Sequence, residues 1–205
     1  NMYRSLPVSS RQRDALAGRL SQNHDLRGVP GFFTRDGRWR LWGKPGFLIP
    51  CCTPDGYIQS LQIRRDEEDD GKYLPLSSNF LNGAQAYSWV HVTGDTAADT
   101  AYVTEGYLKA DVASFLSGGA LFIGNAGTGN MQYFRETVQA LHIKRVISCY
   151  DMDQLSNPHV QKARLRAENV LKELEIPFST KFWDPRYNGI DDYYLHNTKP
   201  LSTAA

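Results

Sequence analysis

The chain has 205 residues, of which 41% are hydrophobic and 22% are charged. This length suits one large domain or two small ones, and the composition excludes a disordered chain, because enough apolar side chains are present to build a core. The longest stretch without a charge, Val112–Phe134, is excluded as a membrane span because it contains five glycines among polar residues.

The net charge of +1 conceals an uneven distribution along the chain. Residues 1–50 carry nine Arg or Lys against three Asp, a balance of +6, so the remaining residues carry −5. A basic half joined to an acidic half indicates a polyanion as the partner of the first half, and a metal ion or solvent as the partner of the second. A solvated, arginine-rich surface is the alternative interpretation of the first half.

The first residues of the chain and its cysteines both indicate the cellular location of the protein. An amphipathic, arginine-bearing stretch stands where a secretory signal would have its apolar segment. Cys51 and Cys52 are adjacent and Cys149 is distant, so they form neither a disulfide framework nor a C-x-x-C zinc motif. We expect three buried, apolar cysteines in a cytoplasmic protein that does not contact a membrane.

In chain order, the first half is predicted to contain one helix followed by short strands. Turn chemistry is evident at Thr53-Pro54-Asp55-Gly56, and the charged segment 66–71 is predicted to be a loop. These elements indicate a small, mainly antiparallel sheet with a helix, which we assign to a basic N-terminal α+β subdomain of residues 1–98. The predicted helix spans 10–21, and the predicted strands span 38–42, 46–51, 57–65 and 72–76.

After Gly94, strands and helices alternate, which is typical of a parallel sheet with helices on both faces. The fold class is therefore α/β in this half and α+β overall, with an α/β domain at residues 99–197 and a tail at 198–205. The predicted strands span 101–104, 120–123, 145–150 and 178–183. The predicted helices span 107–116, 131–142, 158–174 and 190–196.

Acidic residues follow two of these strands: Glu105 closes the first, and Asp151 and Asp153 follow the third. Ligands of open α/β sheets bind beyond the carboxyl ends of the strands, where the strand order reverses, and an order of 2-1-3-4 would bring these acids together. Carboxylates held that close repel unless a cation joins them, and Mg²⁺, or Mn²⁺, suits carboxylates and substrate phosphates. Alternatively, Asp151 caps the following loop and Asp153 is solvated.

Three segments resemble the Toprim fold, which bacterial primases, topoisomerases and related nucleases share. These segments are Val103–Tyr107, Gly124–Gly129 and Ser148–Asp153. The segment Gly189–Asp192 resembles the end of a Toprim-like family found in primase-type proteins of phages and mobile elements. Upstream, three more segments resemble the basic subdomain that precedes Toprim in bacterial primases: Gly46–Pro50, Leu61–Arg65 and Lys72–Leu74.

The resemblance implies a primase-like enzyme core, a nucleotidyltransferase that acts on single-stranded DNA with nucleoside triphosphates during replication of a mobile element or phage. In this interpretation Asp151 and Asp153 bind Mg²⁺ or Mn²⁺, and Glu105 completes the metal site or acts as general acid/base. The residues expected to contact nucleic acid or nucleotide are Arg64, Arg65, Lys72, Gly106 and Lys109. The family often carries an acid where this chain has Lys109.

Further partners and other functions follow from the same residues. The resemblance implies helicase or zinc-binding domains of a longer parent protein as partners. One alternative keeps the metal and makes the chain a Toprim nuclease or nicking enzyme. The other makes it a non-catalytic module that binds single-stranded nucleic acid for a replication protein. Arg65 could instead pair with the acids of residues 66–70.

Overall fold

The structure, a computed structural model, describes residues 2–67, 71–125, 131–155 and 157–198. The chain forms two compact units. The first contains the residues up to Cys51 together with Ile58–Ser88, and the second contains Cys52–Tyr57 and the chain from Trp89 onward. The domain boundary at residues 98 and 99 stays a prediction.

The first unit contains a four-stranded sheet, a helix and a separate hairpin. The order in the sheet is β1-β4-β5-β6, and both β1 with β4 and β5 with β6 pair in antiparallel fashion. The side chain of Ser9 accepts a hydrogen bond from the Gln12 backbone and so caps the helix. The elements are β1 (Arg4–Leu6), α1 (Ser10–Leu20), β2 (Phe32–Arg35), β3 (Arg38–Leu41), β4 (Gly46–Cys52), β5 (Ile58–Arg65) and β6 (Tyr73–Pro75).

Two turns of the chain show how local sequence fixes the strands beside them. The predicted turn after β4 is confirmed, since the Gly56 N–H donates to the Thr53 carbonyl at 2.9 Å. The hairpin of β2 and β3 turns at Asp36 and Gly37, which have φ angles of 52° and 68°. An Asp-Gly pair favours this left-handed turn, so β2 could have been predicted from its sequence.

The second unit contains a five-stranded sheet of order β11-β10-β8-β9-β7. Strands β8 to β11 pair in parallel, and β7 pairs with β9 in antiparallel fashion. The four parallel strands therefore have the predicted order 2-1-3-4. The elements are β7 (Val90–Thr93), β8 (Thr100–Glu105), α2 (Tyr107–Leu116), β9 (Phe122–Asn125), α3 (Met131–Ala140), β10 (Arg145–Ser148), α4 (Pro158–Glu173), β11 (Phe178–Thr180) and α5 (Ile190–Asn197).

Helices cover both faces of this sheet, which confirms the predicted fold class. On one face, Ala110 and Ala113 of α2 and Ile190 of α5 pack with Phe122 of β9. On the other face, the packed residues include Phe134 and Val138 of α3 and Ala163, Ala167 and Leu171 of α4. None of the helices among the described residues is long and apolar enough to cross a membrane.

A buried histidine explains why the segment Cys52–Tyr57 groups with the second unit. The Cys52 N–H donates to Nδ1 of His91 on β7 at 2.9 Å. Because Nδ1 accepts this bond, the ring proton lies on Nε2, which donates to the Asp111 carboxylate at 3.0 Å. His91 is only 2% exposed, so both its nitrogens are satisfied inside the protein.

The three cysteines are buried and form no disulfide with one another, as predicted. Burial raises the pKa of Cys149 to about 12 and also raises the pKa of Cys52. At pH 8 a thiol of pKa 12 is ionised in about one molecule in ten thousand, and the thiolate is the reactive form. We therefore expect no thiol to react with Ellman's reagent at pH 8 in the native protein and all three to react in urea; rapid labelling without urea would contradict this burial.

Candidate functional site

Glu105 is the last residue of β8 and lies partly buried at the carboxyl end of the parallel sheet. Burial raises the pKa of Glu105, the negative charges of Asp151 and Asp153 raise it further, and the positive charge of Lys109 lowers it. These influences show that the three predicted acids share one electrostatic environment. The prediction that the strand order brings them to one edge of the sheet is consistent with this.

Asp151 follows β10, the strand next to β8, and two side chains hold its carboxylate. Its Oδ1 is bonded to the Lys109 ammonium. Its Oδ2 accepts a hydrogen bond from Asn188 Nδ2 at 3.0 Å, and the Asn188 carbonyl also accepts from the Met152 backbone at 2.9 Å. Asn188 therefore fixes both the main chain and the side chain at this strand end.

Asp153 lies in a short 3₁₀ helix, Met152–Leu155, directly after Asp151. Its Oδ2 accepts a hydrogen bond from Asn157 Nδ2 at 3.0 Å. The Asn157 N–H in turn donates to the Asp153 carbonyl at 2.8 Å. Asp153 is thus tied to the chain that leads into α4, while its charge still acts on Glu105.

A fourth acid, Asp191 in the first turn of α5, lies in the same region. Burial raises its pKa, and the charge of Lys109 lowers it. Its Oδ1 is buried and has no hydrogen-bond partner among the described residues. A Cβ atom built on Gly189 would lie 2.2 Å from this oxygen and 3.3 Å from the Lys109 ammonium, so both groups flank the same glycine.

The chain beside Glu105 turns sharply into α2 at Gly106, whose φ angle of 85° favours glycine. The Gly106 N–H donates to the Asn125 carbonyl at 2.7 Å, because Asn125 is paired with Glu105 in the sheet. The Asn125 side chain donates to the buried Tyr150 hydroxyl at 3.0 Å, and burial raises the pKa of Tyr150 to about 12. The hydrogen bond between Gly106 and Asn125 therefore fixes the backbone next to Glu105.

The acid cluster, which we define as Glu105, Asp151, Asp153 and Asp191, offers only carboxylate oxygens. Such oxygens are the ligands that Mg²⁺ prefers, and four carboxylates near one lysine leave an excess of negative charge. Within the described part of the chain, however, no three or more Asp, Glu, His or Cys residues are grouped closely enough to hold a metal ion. The cluster therefore suits Mg²⁺ in the type of its donor atoms and in its charge. Its carboxylates are not arranged around a common metal position, and the Lys109 ammonium is bonded to Asp151.

The basic residues predicted to contact phosphates lie in the first unit, at the end of β5 and the beginning of β6. Arg64 is partly buried, with its guanidinium 6.0 Å from the Phe47 ring centre. Lys72 is exposed. Arg65 is only 5% exposed, and it donates to the Gly71 carbonyl at 3.1 Å, so it closes the loop between the two strands. The acids at 68–70, which are alternative partners of Arg65, lie outside the described residues.

The glycine-rich segment Gly124–Gly129 is described only at its first two residues, which belong to β9. Pairing with β8 on one side and β7 on the other extends this strand to Asn125, beyond the predicted end at 123. A Cβ atom on Gly124 would lie 2.9 Å from the Gly106 carbonyl, so glycine permits β9 to approach the start of α2. Residues 126–130 lie outside the described residues.

Solved structures of bacterial primases share this fold. The zinc-binding and RNA polymerase domains of Aquifex aeolicus primase are 20% identical to this chain, covering 96% of it and 48% of their own length at a TM-score of 0.69. A DnaG primase catalytic domain bound to single-stranded DNA is 15% identical, with coverages of 95% and 61% and a TM-score of 0.66. The RNA polymerase domain of Mycobacterium tuberculosis DnaG is 16% identical, with coverages of 96% and 68% and a TM-score of 0.63.

These similarities confirm the predicted primase-type fold, which includes both units of the chain. The chain spans between 48% and 68% of the length of these three primase chains. No protein-family profile and no curated protein sequence matches it significantly. The likeness is therefore one of fold.

Sequence reasoning assigned no role to Asn188 or Asp191, although the segment Gly189–Asp192 was part of the resemblance. One signal was present: two acids follow Gly189 in the first turn of a predicted helix, where the helix dipole favours negative charge. The proximity of Asp191 to Lys109 depends on the packing of α5 against α2, which no local sequence pattern indicates. The nucleotide-binding role expected for Gly106 and Lys109 stays a prediction.

Proposed function

We propose that this chain is a primase-like nucleic-acid enzyme core that transfers nucleotidyl groups on single-stranded DNA. The observation that supports this best is the acid cluster at the carboxyl ends of β8 and β10, in a chain that has the fold of primase catalytic domains over 95–96% of its length. Ligands of open α/β sheets bind at this edge, and carboxylates there would meet phosphates through a bound Mg²⁺.

In the proposed reaction, Asp151, Asp153 and Glu105 would move closer together to hold Mg²⁺ or Mn²⁺, because they are not grouped closely enough in the structure. The bound ion would offset the charge of the reacting phosphates. Glu105 could also accept a proton, because burial and the neighbouring acids raise its pKa. Asn188 orients Asp151 through a hydrogen bond to its Oδ2, and Asn157 orients Asp153. Arg64 and Lys72 would bind the phosphates of the template or of the nucleoside triphosphate.

The proposed activity is tested by incubating the chain with a single-stranded DNA template, nucleoside triphosphates and Mg²⁺ or Mn²⁺. We expect oligonucleotides whose sequence depends on the template. Nicking of a supercoiled plasmid without any synthesis would favour the Toprim nuclease instead. Binding of single strands that ignores the metal and survives Asp151→Asn, again without synthesis, would favour the non-catalytic module.

Single-strand binding gives a separate prediction for the first unit. Replacing both Arg64 and Lys72 with alanine is expected to weaken binding and to flatten the plot of log K against log salt concentration, by about 0.7 for each phosphate that the protein no longer neutralises. Fluorescence anisotropy with a labelled oligonucleotide at several salt concentrations measures both quantities. Arg27→Ala is the control, because Arg27 is an exposed arginine of the same unit that lies outside β5 and β6; an equal change in the control would contradict the assignment.

The mobile-element or phage context and the helicase or zinc-binding partners belong to the same proposal. They rest on the resemblance of Gly189–Asp192 and of the basic strands. A pull-down with the replicative helicase of the host or element would test the partnership directly.

A further inference from the structure

Lys109 acts on three members of the acid cluster: Asp151, Glu105 and Asp191. Its ammonium bonds to Asp151 Oδ1. Burial raises the pKa values of Glu105 and Asp191, and the charge of Lys109 opposes this rise in both. The side chains of Lys109 and Asp151 are 21% and 15% exposed, so the pair is largely shielded from water. A shielded ion pair is screened less by salt than a surface pair.

The helix α2 sets the position of this ammonium. Lys109 lies in its first turn, three residues after Gly106, and α2 packs against α5, which carries Asp191. Gly189 leaves the space between these helices open, because a side chain there would collide with Asp191 Oδ1 and approach the Lys109 ammonium. The ammonium therefore lies between two acids that come from different parts of the chain.

We propose that the Lys109 ammonium occupies a cation position of the acid cluster, and that a divalent cation has to displace it from Asp151 in order to bind there. The Lys109 ammonium carries one positive charge, which offsets part of the negative charge of the carboxylates that would otherwise attract the metal. It also engages one oxygen of Asp151, while Asn188 engages the other. This inference rests on the proposed function in one respect only, namely that a divalent cation binds at this cluster.

Two consequences follow for the metal. The wild-type cluster binds Mn²⁺ more weakly than the same cluster without the ammonium, because binding includes breaking the bond between Lys109 and Asp151. Removing the ammonium also leaves the carboxylates uncompensated, so the metal-free protein loses stability that added metal restores. Both effects are visible without any substrate or turnover.

The experiment is a calorimetric titration of the purified chain with Mn²⁺, repeated with Lys109→Met and Lys109→Gln. We expect Mn²⁺ to bind both variants more tightly than wild type, by about tenfold or more, which is the scale of one charge-assisted hydrogen bond. The melting temperature should rise more on adding Mn²⁺ in these variants than in wild type. Lys109→Arg keeps the charge and should bind Mn²⁺ much as the wild type does.

Lys144→Met is the matched control, because Lys144 is 77% exposed and pairs with Asp99 at 3.7 Å on the surface. It should leave Mn²⁺ affinity unchanged. The inference is overturned if Lys109→Met and Lys109→Gln bind Mn²⁺ no more tightly than wild type, or if neither binds it at all. If the Lys109 variants bind Mn²⁺ more tightly but the protein makes no primers, the inference is sustained and the proposed reaction is overturned. If the protein makes primers but the variants bind Mn²⁺ no more tightly than wild type, the proposed reaction is sustained and the inference is overturned.

Discussion

Replacing Asp151 with asparagine is expected to lower primer synthesis by about 100-fold or more. The carboxylate lies at the end of β10, held by Lys109 and Asn188, and in the proposed reaction it holds the cation beside the phosphates. Loss of a metal ligand removes several kcal/mol of transition-state stabilisation, and each 1.36 kcal/mol corresponds to about tenfold in rate. Asparagine has nearly the same shape, so the fold should persist.

The measurement is the initial rate of oligonucleotide synthesis on a single-stranded template, with the melting temperature of each variant recorded alongside. Asp99→Asn serves as the control, because it removes an acid whose side chain is 62% exposed and pairs with Lys144. Its activity should remain within about twofold of wild type, as is usual for surface substitutions with small effects on stability. Undiminished synthesis in Asp151→Asn would refute the role of the acid cluster in the reaction.

The second large effect concerns stability: Phe122→Ala should lower the free energy of unfolding by about 3–5 kcal/mol. Phe122 is fully buried in β9, where its ring stacks on Tyr102 with centres 5.2 Å apart. It packs with Ala110 of α2 and Ile190 of α5. Because α5 begins one residue before Asp191, the cavity would also loosen the helix that carries this acid.

Urea denaturation followed by circular dichroism would measure this loss. Phe115→Ala is a suitable comparison, because Phe115 lies on α2 but is 66% exposed. We expect it to change the free energy of unfolding by no more than about 0.5 kcal/mol. Similar losses in the two variants would mean that Phe122 is not the packing centre of this face.

The sequence predicts the second unit better than the first. The helix Tyr107–Leu116 was predicted with its observed bounds, and the strand order that joins Glu105 to Asp151 was confirmed. In this parallel sheet, apolar strands alternate with amphipathic helices and are joined to them by short loops, so the change of hydrophobic periodicity locates each element. By contrast, β1 and β7 were missed because they are only three and four residues long, and β2 was missed although the Asp-Gly pair after it favours a hairpin. In β7 the buried His91 interrupts the apolar pattern.

Three acids of the candidate site, Glu105, Asp151 and Asp153, were predicted from the sequence, whereas Asp191 and the contacts of these acids were not. Glu105 and Asp151 could be placed because both follow strands, and strand ends are positions that a sequence reveals. The pairing of Lys109 with Asp151 joins a helix to a loop 42 residues later, and Asn188 comes from 37 residues further along the chain. Such contacts depend on the packing of helices against the sheet, which composition and spacing do not encode. The family that this sequence resembles often carries an acid at the position of Lys109, so the lysine is a departure from the pattern of that family.

The bond between the Cys52 backbone and His91 also limits how this protein can be cut into working pieces. The chain passes from one compact unit to the other near residues 51, 57 and 88, so no single cleavage separates them. A fragment that begins at residue 89 would lack the partner of His91 Nδ1 and would leave a buried nitrogen without its hydrogen bond. In evolutionary terms, exchange of the acid-bearing unit by recombination would preserve this bond only if a segment with a backbone N–H at the position of Cys52 accompanied it.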